Sequence, residues 1–304
     1  MKSDLIWMDG KLVPYDEARV HIVTTPTLHY GIGVFEGIRC YETPDGPAVF
    51  RLRDHLQRFI ESIHILGVLN FPYKVDDLRQ AVFETIRANH FKSCYIRPLM
   101  YMDGPLGMNM DQSTPRVGIA AWEWGPYLGE EAMQKGVHMM VASFTRLHPN
   151  ANMTKSKVAG NYVNSMLVKT LALRSGYEEA VILDHQGFVA ECTGENLFML
   201  RKGALFTPML SNVLEGITRD TVITLAADMG LVVREANITR DQLYIADEVF
   251  ISGTAAEVVG VRAIDFRTIG EGKPGKVTQA IYQAFSENVH GKGKHSQEWL
   301  DYGS

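Results

Sequence analysis

The chain has 304 residues, of which 46% are hydrophobic and 21% charged, with a formal net charge of −5. That length can bury a large core and predicts two domains. The scattered charges contain no basic run and give no reason to expect a nucleic-acid or membrane partner. The three cysteines, Cys40, Cys94 and Cys192, form no C-x-x-C pair. This argues against a disulfide framework and a metal site, and fits a reducing cytoplasm. Asp9-Gly10-Lys11 interrupts any apolar signal core near the start, and no stretch approaches the ~18 apolar residues of a membrane span.

Leu5 to Met8, Asp9-Gly10 and Lys11 to Val13 predict a hairpin with an Asp-Gly turn. Asp54 to Leu66 reads as an amphipathic helix with Leu56, Phe59, Ile60 and Ile63 on one face. Asp76 to Ala88 reads as another, with Asp76 or Asp77 able to cap it. Strands are expected at Cys94 to Met102 and Arg116 to Trp122. Trp124 to Gly129 carries Gly and Pro without a period. The expected division is a domain over 1–123, a linker over 124–133 and a larger domain over 134–304.

The second part opens with a strand at Val137 to Phe144, then a polar segment leading to Lys157. A helix from about Asn161 to Ser175 stops at Gly176. Strands follow at Ala180 to Leu183, Phe188 to Glu191 and Leu197 to Leu200. A helix runs from Thr218 to Met229, strands cover Val249 to Ser252 and Val258 to Ala263, and a last helix spans Lys276 to Val289. Strands and helices interleave without a strict β-α-β rhythm, so the class is α+β.

Two stretches carry the chemistry. Lys157 to Tyr162 supplies an amine and a phenol, and Glu191 to Asn196 supplies carboxylates. An amine forms a Schiff base with an aldehyde cofactor, a carboxylate holds a pyridine nitrogen protonated, and a phenol bonds a ring oxygen. The combination suggests pyridoxal phosphate and carbanion chemistry at an amino acid. An isolated lysine is ordinarily a solvated charge, and Lys155 competes with Lys157. The small and apolar Val158, Ala159 and Gly160 favour Lys157, because desolvation leaves a lysine amine neutral and nucleophilic. Glu191 has a rival in Glu195, and Tyr162 taken alone reads as a core tyrosine.

Gly216-Ile217-Thr218 opens a helix whose first N–H groups attract a phosphate, although Thr218 also suits an ordinary N-cap. Small residues at Ser252 to Ala256 let backbone N–H groups approach an anion, or make a plain turn. Tyr95 and Arg97 alternate and so share a strand face, where they can hold a carboxylate.

The ordered motifs His29-Tyr30-Gly31, Phe35-Glu36-Gly37-Ile38-Arg39, Asp54 to Arg58, Tyr95 to Pro98, Lys157 to Tyr162, Gly194 to Phe198, Gly216 to Asp220 and Ser252 to Glu257 cover nearly the whole chain. In these the sequence resembles the branched-chain amino acid aminotransferases among the fold-type IV pyridoxal phosphate enzymes. The resemblance implies a small α/β domain and a larger pseudo-barrel domain. It implies that Lys157 forms the internal aldimine and shuttles a proton, that Glu191 pairs with the pyridine nitrogen and that Tyr162 bonds the ring oxygen. Arg58, Ile217, Thr218 and Thr254 would hold the phosphate, with Leu214 beside the ring. Tyr95 and Ala255 would receive the substrate α-carboxylate, Arg97 the γ-carboxylate of glutamate, and Tyr30, Phe35, Met108, Trp124 and Tyr127 would line the side-chain pocket. The implied reaction is transamination of leucine, isoleucine or valine with 2-oxoglutarate, in a homodimer at least or a hexamer. The rivals on the same fold are D-amino acid and (R)-amine transaminases and an aminodeoxychorismate lyase. A non-catalytic pyridoxal-phosphate-binding protein is a rival of another class.

Overall fold

In the computed structural model of the chain, residues 3–303 are described. They divide into two compact units: residues 3–124 with Ser156–Asn161 and residues 288–303, and Gly125–Lys155 with Tyr162–Glu287. The units are discontinuous in sequence. Lys157 and the C-terminal segment belong to the first unit, whereas the sequence reading placed them in a contiguous second domain.

The first unit is built on an antiparallel sheet of β1 (Leu5–Met8), β2 (Lys11–Pro14), β3 (Gly33–Phe35), β4 (Ile38–Thr43), β5 (Gly46–Phe50), β6 (Cys94–Asp103) and β7 (Thr114–Trp122). The order is Leu300–Asp301, then β5, β4, β6, β7, β1, β2, with β3 also on β6. The first turn has φ 45° at Asp9 and 90° at Gly10, both positive as the Asp-Gly pair predicts. The short helix α1 (Pro26–Tyr30) precedes β3. Helices α2 (Leu52–Ile65) and α3 (Val75–Ala88) bury Leu52, Leu56, Phe59, Ile63, Leu78, Val82 and Ile86 in one core with Ile38, Ile96 and Ile119. Asp77 rather than Asp76 caps α3, its carboxylate accepting the Lys74 N–H at 2.8 Å.

A proline inside a central strand removes a ladder hydrogen bond. Pro98 is tolerated in β6 because it faces a break. Leu99 pairs with Phe35 at the end of β3, and Ile96 with Ile38 at the start of β4. Residues 36 and 37 lie in the gap, and the Glu36 N–H donates to the Pro98 carbonyl at 2.9 Å.

The second unit holds a mixed sheet of β8 (Val137–Thr145), β9 (Glu179–Leu183), β10 (Val189–Glu191), β11 (Asn196–Arg201), β12 (Ala204–Pro208), β13 (Val232–Ala236), β14 (Glu248–Gly253), β15 (Glu257–Ile264) and β16 (Arg267–Thr268). The order is β10, β9, β8, β15, β14, β11, β12, β13, with β16 on β15. Its helices are α4 (Glu130–Lys135), α5 (Pro149–Asn152), α6 (Tyr162–Arg174), α7 (Ile217–Asp228), α8 (Arg240–Tyr244) and α9 (Lys276–Val289), the last running on into the first unit. Helix α4 lies partly inside the stretch read as a linker and buries Ala132. Strands β4, β5, β12 and β13 were not anticipated. Two of these, β5 and β12, carry Gly, Pro or Ala at their ends and present no clean alternation. The N-cap of α7 is Gly216, and Thr218 lies inside the helix, correcting the alternative reading of Thr218 as the cap.

Candidate active site

In the first unit Lys157 is tied to α2 and β3. Its N–H donates to Ser62 Oγ at 3.0 Å, and the neighbouring Ser156 hydroxyl donates to the Ser62 carbonyl at 2.8 Å. The Phe35 N–H donates to the Lys157 carbonyl at 3.2 Å, and Val34 bridges Val158. The Lys157 Nζ lies 5.0 Å from the centre of the Phe35 ring. Beyond it, Gly31 and Gly160 pack backbone to backbone: a Cβ at Gly31, where φ is +71°, would sit 2.9 Å from the Gly160 Cα. Only glycine permits both the close approach and that conformation.

One face of α2 presents His55, Arg58 and Ser62, at the i, i+3, i+7 spacing of neighbours along a helix. The fully buried Glu36 accepts from Arg58 Nε at 2.7 Å, from Arg58 Nη2 at 2.9 Å and from His55 Nδ1 at 2.8 Å. Burial opposes ionisation of Glu36, but the Arg58 charge and the His55 hydrogen bond outweigh it and hold the carboxyl well below the usual range. Burial lowers the pKa of His55, against the raising effect of Glu36. The ring is therefore neutral at pH 7, with its proton on Nδ1.

An aromatic group stands on β6 and β7. Tyr95 lies 5.2 Å from Trp122 and 4.7 Å from Trp124, ring centre to ring centre. Arg97 donates to Tyr95 Oη at 3.1 Å, and its guanidinium lies 4.6 Å from the Phe35 ring centre. Phe35, Tyr95, Arg97 and Trp124 are thus brought together. Tyr30 is exposed at the end of α1, and Met108 is 90% exposed.

In the second unit the Lys155 ammonium is engaged by the Leu210 and Val213 carbonyls and lies 3.1 Å from a Glu215 oxygen. It is committed to the loop before α7. Glu191 ends β10 and is buried, with Oε1 2.5 Å from Arg146 Nε and Oε2 accepting the Leu214 N–H at 3.2 Å. The Arg146 contact is an ion pair without hydrogen-bond alignment at Nε. The rival Glu195 is also buried but takes only its neighbour's N–H, from Gly194 at 3.1 Å, and its carboxyl is pushed up to about 8 by burial and by Glu179. Leu214 is clamped between Glu191 and Asn196, whose side-chain amide donates to the Leu214 carbonyl at 3.2 Å. Ile217 and Thr218 form the first turn of α7, and the N-cap Gly216 offers that turn no side-chain acceptor. Thr254 and Ala255 make the turn from β14 into β15, which begins at φ +60° on Glu257. Tyr162 is half-buried at the start of α6, and the Tyr127 ring lies 5.6 Å from the Lys169 ammonium.

Arg146, Ser62 and Asn196 received no role from sequence, and Glu36 was quoted in a motif without one. Nothing local marks them, because each acts on a residue far away along the chain.

The family described as Amino-transferase class IV matches residues 33–264. The chain is 46% identical over 300 residues to the branched-chain-amino-acid aminotransferase of Pseudomonas aeruginosa, covering 98% of this chain and 97% of that one. The solved structure of a branched-chain amino acid aminotransferase from T.th., with pyridoxamine 5'-phosphate, has a TM-score of 0.96 at 47% identity, with 100% of both chains covered. The T.th. enzyme complexed with N-(5'-phosphopyridoxyl)-L-glutamate gives 0.95 at 45%, again over 100% of both chains. The chain belongs to the class IV aminotransferases, whose fold-type IV enzymes use pyridoxal phosphate. Each unit presents donors that suit that cofactor: in the first, an amine beside an aromatic ring and a guanidinium fixed by a buried carboxylate; in the second, a helix N-terminus whose N-cap is a glycine and a buried carboxylate at Glu191.

Proposed function

We propose that this protein is a pyridoxal-phosphate-dependent aminotransferase that moves the amino group of L-leucine, L-isoleucine or L-valine to 2-oxoglutarate, giving branched 2-oxo acids and glutamate. The observation that carries the reading is the 46% identity to a branched-chain-amino-acid aminotransferase over 98% of this chain. The cofactor, when bound, supplies the electron sink that makes a substrate Cα proton acidic. Lys157 carries the cofactor through its amine, then takes the proton from Cα and returns it on the cofactor's side. Such acid–base work contributes about 10²–10⁴-fold. Glu191, whose two oxygens are kept in place by Arg146 and the Leu214 N–H, would hold the ring N–H. Tyr162 would bond the ring oxygen, and Leu214 would pack against the ring. Arg58 and the Ile217, Thr218 and Thr254 groups would hold the phosphate.

For the substrate, Tyr95 and the Thr254–Ala255 turn take the α-carboxylate. Phe35 and Trp124 would give an apolar wall for an isobutyl group, with Tyr30, Tyr127 and Met108 assigned to the same pocket by the resemblance, and Arg97 would meet the γ-carboxylate of glutamate. Val163, Met166, Leu167 and Leu173 on α6 are exposed although apolar, while Val168 and Ala172 on the opposite side are buried. An exposed apolar row of this kind suits a second copy of the chain, so we assign a homodimer at least, with a hexamer as the larger alternative. Among the described residues no helix is long and apolar enough to cross a membrane. Cys40, Cys94 and Cys192 are buried and unlinked, which supports a cytoplasmic setting.

The test is a half-reaction panel with the cofactor-loaded protein: leucine, isoleucine, valine, glutamate, D-alanine and (R)-1-phenylethylamine. Fast conversion with the three branched L-amino acids and with glutamate is expected. Preference for D-alanine or the amine would replace this reading with one of the fold's other activities.

A further inference from the structure

We infer that Glu36 is a positioning residue for the cofactor's phosphate: its buried carboxylate fixes the Arg58 guanidinium in the orientation with which that arm grips the phosphate. The inference rests on the assignment of Arg58 to the phosphate made above. Glu36 itself cannot shift. It is fully buried in the gap between β3 and β4, its N–H is bound to the Pro98 carbonyl at 2.9 Å, and Oε2 also takes the Gly37 N–H at 3.3 Å. It holds Arg58 through two different nitrogens, Nε at 2.7 Å and Nη2 at 2.9 Å. A bidentate contact of this kind sets the plane of the guanidinium, which a single contact does not.

His55 completes the arrangement from behind. It is 1% exposed, sits one turn before Arg58 on α2 and donates from Nδ1 to Glu36 at 2.8 Å. Its Nε2 is buried without a hydrogen-bond partner. Rotation of Arg58 would therefore strip a buried carboxylate of its cation and leave it only neutral donors, the His55 imidazole and the Gly37 N–H. The same short strand also places the amine, since the Phe35 N–H bonds the Lys157 carbonyl at 3.2 Å. The phosphate arm and the amine are thus both referred to the residues Phe35 and Glu36. A residue that merely held α2 to the sheet would not be sensitive to whether the ligand carries a phosphate.

The experiment strips the full chain of cofactor and titrates it with pyridoxal phosphate and with pyridoxal, which lacks the phosphate. Glu36→Gln should raise the pyridoxal phosphate Kd about tenfold or more and leave the pyridoxal Kd unchanged. Arg58→Ala should raise it further, and the double variant should bind no worse than Arg58→Ala alone, because Glu36 acts only through that side chain. Equal losses for both ligands in Glu36→Gln, or additive losses in the double variant, overturn the inference. Unchanged pyridoxal phosphate binding in Arg58→Ala overturns the assignment of Arg58 and the inference with it. Arg58→Lys keeps the charge beside Glu36 and so protects the fold, but it lacks the fork. It should lose pyridoxal phosphate affinity selectively, and retention of full affinity would show that the orientation set by Glu36 does not matter.

Discussion

The phenol of Tyr95 occupies the volume that any side chain at residue 37 would need: a Cβ on Gly37 would overlap Tyr95 Oη and lie 2.9 Å from its Cζ. Trp122 and Trp124 flank the ring at 5.2 and 4.7 Å, so it has no room to swing away. Gly37→Ala should cost about 1–3 kcal/mol of stability, the usual penalty of overpacking. It should also raise KM for leucine and glutamate together, because Tyr95 is assigned to the α-carboxylate that both carry. Adding Tyr95→Phe removes the overlapping oxygen but not Cζ, so stability should return in part while KM stays high. Thermal melting with steady-state kinetics of the three variants separates these effects; an unshifted melting point in Gly37→Ala would contradict the geometry.

Lys155 and Lys157 should separate cleanly. Lys157→Ala should fold, lose at least about 10²-fold in turnover and lose covalent cofactor labelling after borohydride reduction. Lys155→Ala should keep the label but melt lower, because its ammonium joins the Leu210 and Val213 carbonyls to Glu215 in the loop before α7. Peptide mapping that finds the label on Lys155 would reverse the assignment.

Arg146 and Glu191 form a buried pair, with side chains 8% and 10% exposed. Removing one partner of such a pair costs about 3–5 kcal/mol, because the other is left charged and desolvated. Arg146→Met should show that loss in the cofactor-free protein. In the loaded protein the loss should be smaller if, as proposed, the protonated ring nitrogen supplies Glu191 with a second cation. Equal drops in melting temperature with and without cofactor would mean that Glu191 does not face the ring.

Glu195 predicts a pH dependence of opposite sign to that of an ordinary ion-paired carboxylate. Burial and the charge of Glu179 raise its carboxyl from 4.5 to about 8 in the folded chain. Between those values the folded state holds a proton that the unfolded state has released, so stability falls as pH rises through the window and levels off above it. The slope is at most about 1.4 kcal/mol per pH unit for one proton. Glu195→Gln keeps the shape and removes the titration. Denaturant midpoints from pH 5 to pH 8.5 should therefore decline less in the variant than in the parent, and parallel curves would refute the assignment.

Local patterning made much of the scaffold legible. The Asp9-Gly10 turn, the apolar faces of α2 and α3, and the strands β6, β7, β8, β14 and β15 follow from period and turn chemistry within a few residues of chain. The short strands β4, β5, β12 and β13 did not, because strand formation there depends on partners supplied by the sheet rather than on alternation in the strand itself. The helix α6 was legible as a helix but not in its faces, since apolar and polar residues are mixed on every side and only the tertiary fold distinguishes Val168 from Val163.

The chain's sequence determined the chemistry on offer: which residues are amines, carboxylates and phenols, and where glycine opens space for a neighbour, as at Gly160. Spacing alone left Lys155 as a rival of Lys157, which only its small and apolar neighbours favoured, and left Glu195 as a rival of Glu191. Tertiary structure gives the members of each pair different surroundings. Lys155 is occupied by carbonyls of a loop more than fifty residues away, and Glu191 alone meets a buried arginine. Only tertiary structure also drew Glu36, His55 and Arg58 into one cluster, from two motifs that show no link to each other in the sequence. The physical reason is common to all of these. The strength of a charge–charge contact depends on distance and desolvation, and both are set by the packing of segments that the linear order keeps apart.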